Sequence, residues 1–256
     1  TKINQAIDIT VIEPNPYAMD LAKKRYDEMP VNPLVRSISC VSSLKGISQD
    51  LDLAIIVTNA DVRRKVIENL LGKIQIKYLI LEKVVFQSVR DFETVIRILD
   101  EKHAKAWVNC PRRIVPFFRN IREEMITADK VQIIVEGSKW GMASNAIHML
   151  DLFAFLTGQT EICIDGTGLD HKIYESKRSE FLELGGVLEA ENSRGDKLTL
   201  IDEKNSAGQN VLSMSSRNHR YIINNSNGRV FSAHKEDGWE EKEELFQMPL
   251  QSELTH

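Results

Sequence analysis

Short apolar runs alternate with amphipathic stretches through the first half of the chain. Residues 9–12 are β-rich and stop at Glu13. Pro16 then opens a stretch, 16–28, in which Ala18, Leu21, Ala22 and Arg25 recur at helical spacing. A short strand fits 35–41. Residues 53–57 are nearly all apolar, as expected of a central parallel strand covered on both faces. A helix over 61–71, a strand ending at Leu81, a helix over 89–103 and a strand over 105–109 follow. This βαβα rhythm predicts a Rossmann-like, doubly wound parallel sheet.

The rhythm changes after Pro111. Residues 115–127 read as a helix, 130–136 as a strand, and 143–156 as a strong helix closed by Gly158. Residues 160–246 become short strand-like pieces between turn clusters. One such turn is Asn192-Ser193-Arg194-Gly195-Asp196, and a second runs over 224–228; both favour hairpins. The expectation is a dinucleotide-binding domain over 1–110 and an α+β domain with a mainly antiparallel sheet over 111–256. Both ends read as incomplete. An acidic residue that holds an adenosine ribose normally lies about 20 residues beyond a glycine-rich phosphate loop. The residues before Glu13 contain no glycine, so that loop is expected upstream of Thr1, and the tail after Pro249 offers no closing element.

Composition narrows the classes. The chain has 256 residues, 42% of them hydrophobic and 27% charged, with a net charge of −4 and scattered Lys and Arg. That gives no electrostatic case for nucleic acid or a membrane surface. The apolar runs are strand-sized, too short to span a bilayer. Three widely spaced cysteines, Cys40, Cys110 and Cys163, are expected as reduced, buried thiols of a cytoplasmic protein.

Candidate chemistry sits at strand ends and on one helix. Glu13 ends a strand, where its carboxylate can accept two ribose hydroxyl hydrogen bonds and repel the extra phosphate of NADP. Asn15 and Pro16 follow it rather than an Arg clamp, so NAD is preferred over NADP; an ordinary surface Glu before a turn fits equally simply. Thr58 and Asn59 follow the 53–57 strand and suit either cofactor contacts or capping of the next helix by Asn59 or Asp61. Glu82-Lys83 ends another strand. Lys83 can manage a substrate hydroxyl proton and Glu82 can hold the loop or the lysine, against a solvated ion pair as the plain alternative. On the 143–156 helix, Ser144 and His148 share a face at i,i+4, and Asp151 lies three beyond His148. His148 can exchange a proton with Ser144 or Asp151 orienting it, or can be a satisfied structural histidine. Arg112 and Arg113 suit a substrate anion or an ion pair at the domain boundary. His171, His219, His234 and His256 are dispersed, and no metal site is expected.

Taken in order, these segments resemble the Gfo/Idh/MocA family of NAD(P)-dependent oxidoreductases. The segment 55–60, Ile-Ile-Val-Thr-Asn-Ala, is similar to its cofactor strand and loop, and 81–84, Leu-Glu-Lys-Val, resembles its Glu-Lys-Pro motif. Residues 109–116 resemble its crossover into the second domain, and 144–151 its Asp-x-Gly-x-His-x-x-Asp helix. The resemblance implies reversible hydride transfer between NAD(H) and a carbinol of a sugar, sugar nucleotide or cyclitol. It implies Lys83 and His148 near the nicotinamide, Glu13, Thr58, Asn59 and Glu82 toward the cofactor, and Arg113, Ser144 and Asn145 toward the substrate. It further implies a homodimer or homotetramer. Val84 stands where the family has proline, Ser144 where it has aspartate, Ala146 where it has glycine, and Arg63 where its loop often has histidine. Ser144 cannot supply the missing carboxylate. A non-catalytic relative serving assembly or small-molecule sensing is the alternative.

Overall fold

Local signals set the elements of the first half. In the computed structural model, which describes residues 5–47, 49–176 and 181–249, β1 (Ile7–Ile12) leads to α1 (Pro16–Asp27). Asn15 caps α1, its Oδ1 accepting from the Tyr17 and Ala18 amides at 3.0 and 3.4 Å, with Pro16 in the first turn. Next come β2 (Val35–Val41), β3 (Leu51–Ile56), α2 (Ala60–Leu71), β4 (Ile76–Leu81), α3 (Val89–Glu101) and β5 (Lys105–Val108). Pairing is parallel throughout, in two sheets: β1 with β2, and β3-β4-β5. The chain divides into two compact units, the first ending at Asn109 and the second starting at Cys110.

The expectation that 53–57 is covered on both faces is corrected. Ala54 and Ile56 are buried with Leu79 and Leu81 against Ile67 of α2 and Val95 of α3, whereas Ile55 is 60% exposed and Val57 70%. The reason is topological. Right-handed crossovers that step the same way across a sheet deliver their helices to the same face. Both β3-α2-β4 and β4-α3-β5 step from β3 toward β5, so α2 and α3 share one face. Tyr78 and Trp107, in ring contact at 5.8 Å, stay half-exposed on the other.

The second unit starts with α4 (Pro116–Met125), β6 (Val131–Gly137) and α5 (Met142–Thr157), and α5 ends at Gly158 with φ +68. Nine strands follow: β7 (Ile162–Asp165), β8 (Tyr174–Glu175), β9 (Leu182–Glu183), β10 (Gly186–Asn192), β11 (Lys197–Asp202), β12 (Val211–Ser216), β13 (His219–Asn224), β14 (Arg229–His234) and β15 (Glu241–Leu245). Eight strands of this unit form one sheet in the order β15-β14-β13-β12-β6-β11-β10-β7, and β8 pairs with β9. The sheet is antiparallel except where β11 runs parallel to β6. The 192–196 turn forms as its residues require. Asn192 Oδ1 accepts from the Arg194 and Asp196 amides, and Gly195 takes φ +82.

On β6 the buried positions alternate, and Val131, Ile133 and Val135 pack with Phe118 and Met125 of α4 and Phe153 of α5. Each such side chain contributes about 1.5–3 kcal/mol by its burial. This packing holds α5 against the sheet and so fixes where its polar residues emerge. The cysteines depart from expectation in one respect: all three are free, but Cys163 is exposed and Cys40 and Cys110 are only partly buried. On the short β7, Cys163 follows the inward Ile162 and so points to the opposite face. The tail after Pro249 lies outside the described residues, as does His256.

Candidate active site

In the N-terminal unit the predicted residues lie at the carboxyl ends of parallel strands, where α/β folds place ligands. Glu13 follows β1; its backbone amide donates to Val41 O, and its Oε1 accepts from the Asn15 amide at 2.8 Å. The carboxylate is thus held in the turn that opens α1. Thr58 and Asn59 join β3 to α2. Asn59 occupies the N-cap position of α2, but its side chain makes no capping bond there, so the Asn59 half of the capping expectation is corrected. With φ −60 and ψ 154 its backbone is extended, and Asp61 lies in the first turn. Thr58 Oγ1 is buried and has no hydrogen-bond partner among the described residues.

The Glu82-Lys83 corner is braced from two directions. Glu82 N donates to Ile56 O, and Glu82 Oε2 accepts from Asn109 Nδ2 at 2.9 Å. Arg63, 2% exposed on α2, donates through Nη1 to Val84 O and to Val85 O (2.7 Å), and through Nη2 to Thr58 O. One guanidinium therefore ties the loop after β3 to the loop after β4. Its burial pulls it below its ordinary pKa, with Glu82 and Asp61 opposing. The Lys83–Val84 peptide is cis, and Lys83 is half-buried. Sequence inspection notes Arg63 only as a departure from a histidine and passes over Asn109. The spacing of Asn109 from Glu82 carries no signal, and the bonds of Arg63 go to backbone carbonyls that leave no mark in residue identity.

In the C-terminal unit, the amino end of α5 is held by carboxylates. Asp202 Oδ2, at the end of β11, accepts from the Gly141 and Met142 amides at 3.2 and 3.1 Å and from Lys204 Nζ at 2.6 Å. Glu183 Oε2 accepts from the Ala143 amide at 2.9 Å, and Glu183 Oε1 from Ser144 Oγ at 2.6 Å. Negative groups at a helix amino terminus satisfy its unpaired N–H groups and oppose its dipole. Ser144 itself carries no charge, and the Glu183 carboxylate on β9 stands against its hydroxyl. Asn145 Nδ2 donates to Trp140 O at 2.7 Å. One turn beyond Ser144, His148 is half-buried.

Asp151 pairs with Arg113, whose Nε donates to Oδ1 and Oδ2 at 2.8 and 2.9 Å. This bond holds Arg113 above its ordinary pKa. Of the two readings of Arg113, ion pairing is thus realised, while Arg112 is held below its ordinary value by burial. A cleft of about 840 Å³ opens in this unit, with Arg112, Trp140, Asn145, Met149, Asn210 and Phe246 in its wall. Of the substrate-directed residues on α5 it takes in Asn145, and neither Ser144 nor His148 lines it.

No protein-family model matches the chain, and no curated protein does. Solved structures do. A dehydrogenase from Clostridium difficile superposes with TM-score 0.64 at 13% identity, covering 97% of this chain and 86% of its own. UDP-N-acetylglucosamine 3-dehydrogenase from Acidithiobacillus ferrooxidans gives 0.63 at 13% identity, with 98% and 85% covered. A super-repressor mutant of Gal80p from Saccharomyces cerevisiae gives 0.66 at 12% identity, with 96% and 72% covered. The likeness is one of fold. Among the described residues no helix is long and apolar enough to cross a membrane.

Proposed function

We propose that the chain is an oxidoreductase that moves hydride between NAD(H) and a carbinol carbon of a sugar, sugar nucleotide or cyclitol. The observation that carries this reading is the corner built by Arg63. It braces the strand-end loops bearing Thr58 and Lys83 at the edge where parallel α/β sheets bind ligands. The residues fit a dinucleotide. Thr58 Oγ1 is a buried hydroxyl lacking a partner among the described residues, and Glu13 presents a carboxylate at a strand end, as a ribose diol requires. When bound, the nicotinamide supplies the hydride acceptor or donor. Lys83 Nζ hydrogen-bonds the substrate oxygen and offsets negative charge developing there, and Glu82, fixed by Asn109, holds the backbone before it. His148 takes or returns the hydroxyl proton through a ring nitrogen. Glu13 disfavours the added phosphate of NADP.

A second reading, non-catalytic small-molecule sensing, draws on Ser144 in place of the family aspartate and on the fold shared with a repressor. Calorimetric titration of NAD and NADP, after removal of copurified nucleotide, separates the two. Saturable NAD binding that is stronger than NADP binding and weakened in Glu13→Ala supports the dehydrogenase reading. No heat with either nucleotide in the folded protein taken from the natural start of its reading frame turns the assignment to the second.

A further inference from the structure

Far along the chain from these residues, three metal-ligating side chains meet on the C-terminal sheet. Two of the four histidines expected to be dispersed meet: in the β13–β14 hairpin His219 is the cross-strand partner of His234, so antiparallel register places residues 15 apart side by side. Glu124, in the last turn of α4, reaches the same point. His219 Nδ1 lies 2.9 Å from His234 Nδ1 and 3.1 Å from Glu124 Oε2, and His234 Nδ1 lies 4.0 Å from that oxygen. A point equidistant from three atoms so spaced lies about 2.0 Å from each, the length of a bond from zinc to imidazole or carboxylate. Tetrahedral corners at that bond length are about 3.3 Å apart, so the Glu124 side chain must close on His234 from 4.0 Å for four-coordinate binding. The three side chains are 21%, 16% and 33% exposed, sheltered yet open to an entering ion.

We propose that Glu124, His219 and His234 bind a divalent transition-metal ion, zinc by preference, with a fourth position open to water or a small anion. Two imidazoles and one carboxylate form a borderline donor set suited to zinc rather than to magnesium or calcium. Two facing Nδ1 atoms can satisfy each other only if one carries a proton and the other does not. A cation satisfies both lone pairs and the carboxylate together. The surroundings are those of a ligand held in place: Tyr221, two residues along β13 and on the same face as His219, donates its hydroxyl to Glu124 Oε2 at 2.5 Å. Bound metal would staple the carboxyl end of α4 to the open end of the hairpin. It has no part in hydride transfer, so it stands or falls apart from the proposed redox activity.

Cobalt(II) titrated into the chelator-stripped chain tests it. The expected result is a four-coordinate d–d spectrum that saturates at one equivalent and is bleached by zinc. His219→Ala and His234→Ala should each abolish the bands, His171→Ala should leave them, and Tyr221→Phe should weaken binding about 10–100-fold. If either alanine variant fails to fold, X-ray absorption of the zinc-loaded wild type still decides, by showing two imidazoles among nitrogen and oxygen donors without sulphur. A wild type that develops no bands, bands that survive the double variant His219→Ala/His234→Ala, or a zinc shell holding sulphur or a single imidazole would overturn the proposal.

Discussion

The two corners that carry the candidate chemistry are held by opposite charges. In the N-terminal unit a buried cation, Arg63, gathers backbone carbonyls from two loops. In the C-terminal unit buried anions, Asp202 and Glu183, gather backbone amides at the start of one helix. The choice follows from which end of the peptide each corner leaves unpaired. A chain leaving a parallel strand and turning out of the ladder exposes C=O groups, and a helix entering its first turn exposes N–H groups. Asp202 is neutralised, since Lys204 Nζ stands 2.6 Å from it. Among the described residues Arg63 has the more distant fields of Glu82 and Asp61 and no ion-pair partner in contact. Carboxylate bracing should therefore form a more tightly coupled unit than cation bracing.

The largest effect is expected on rate rather than on stability. Lys83→Ala should lower turnover about 10²–10⁴-fold, the range for removing a positioned proton-handling group, while the melting temperature stays close to that of wild type. Steady-state kinetics beside thermal unfolding reads both, and wild-type turnover would end the assignment of Lys83. Next comes Asp202→Ala. The substitution leaves Lys204, 8% exposed, without its partner and strips two helix amides, so a loss of about 3–5 kcal/mol is expected by denaturant unfolding. A loss below about 1 kcal/mol would mean that solvent replaces the carboxylate, and that the C-terminal corner is the looser one.

Arg63→Leu should cost less, about 1.5–3 kcal/mol, because it removes hydrogen bonds from a charged donor without stranding an opposite charge. Its sharper signature is functional. With the loops after β3 and β4 untied, kcat should fall although Lys83 is intact. Equal losses of stability in Arg63→Leu and Asp202→Ala would erase the contrast between the corners.

These residues also mark how far the sequence can be read. The βαβ rhythm, the helix over 143–156 and the Ser144–His148 spacing were legible because they depend on local periodicity. Arg63 was not, because its partners are carbonyls. Glu183 was not, because it lies 39 residues from Ser144 and arrives through the β8–β9 pairing. The one-sided burial of β3 was misread because an apolar run records what a strand can tolerate, not what covers it. The meeting of His219 and His234 needs hairpin register, which the turn at 224–228 suggests but does not set residue by residue.

The smallest effect decides whether Glu183 stands in for the family aspartate. If position 144 lacks a carboxylate because Glu183 provides one, then Ser144→Asp crowds two like charges where the hydroxyl now lies 2.6 Å from Glu183 Oε1. Glu183→Gln alone removes an anion from the helix terminus. The double variant restores a single carboxylate on the other side of the same contact. Its stability should therefore exceed the sum of the single effects by about 1–3 kcal/mol, the size of coupling found between residues in direct contact. Additive losses would make Glu183 an ordinary helix cap with no special link to position 144. Coupling would show that a carboxylate on the strand and one on the helix can serve the same contact.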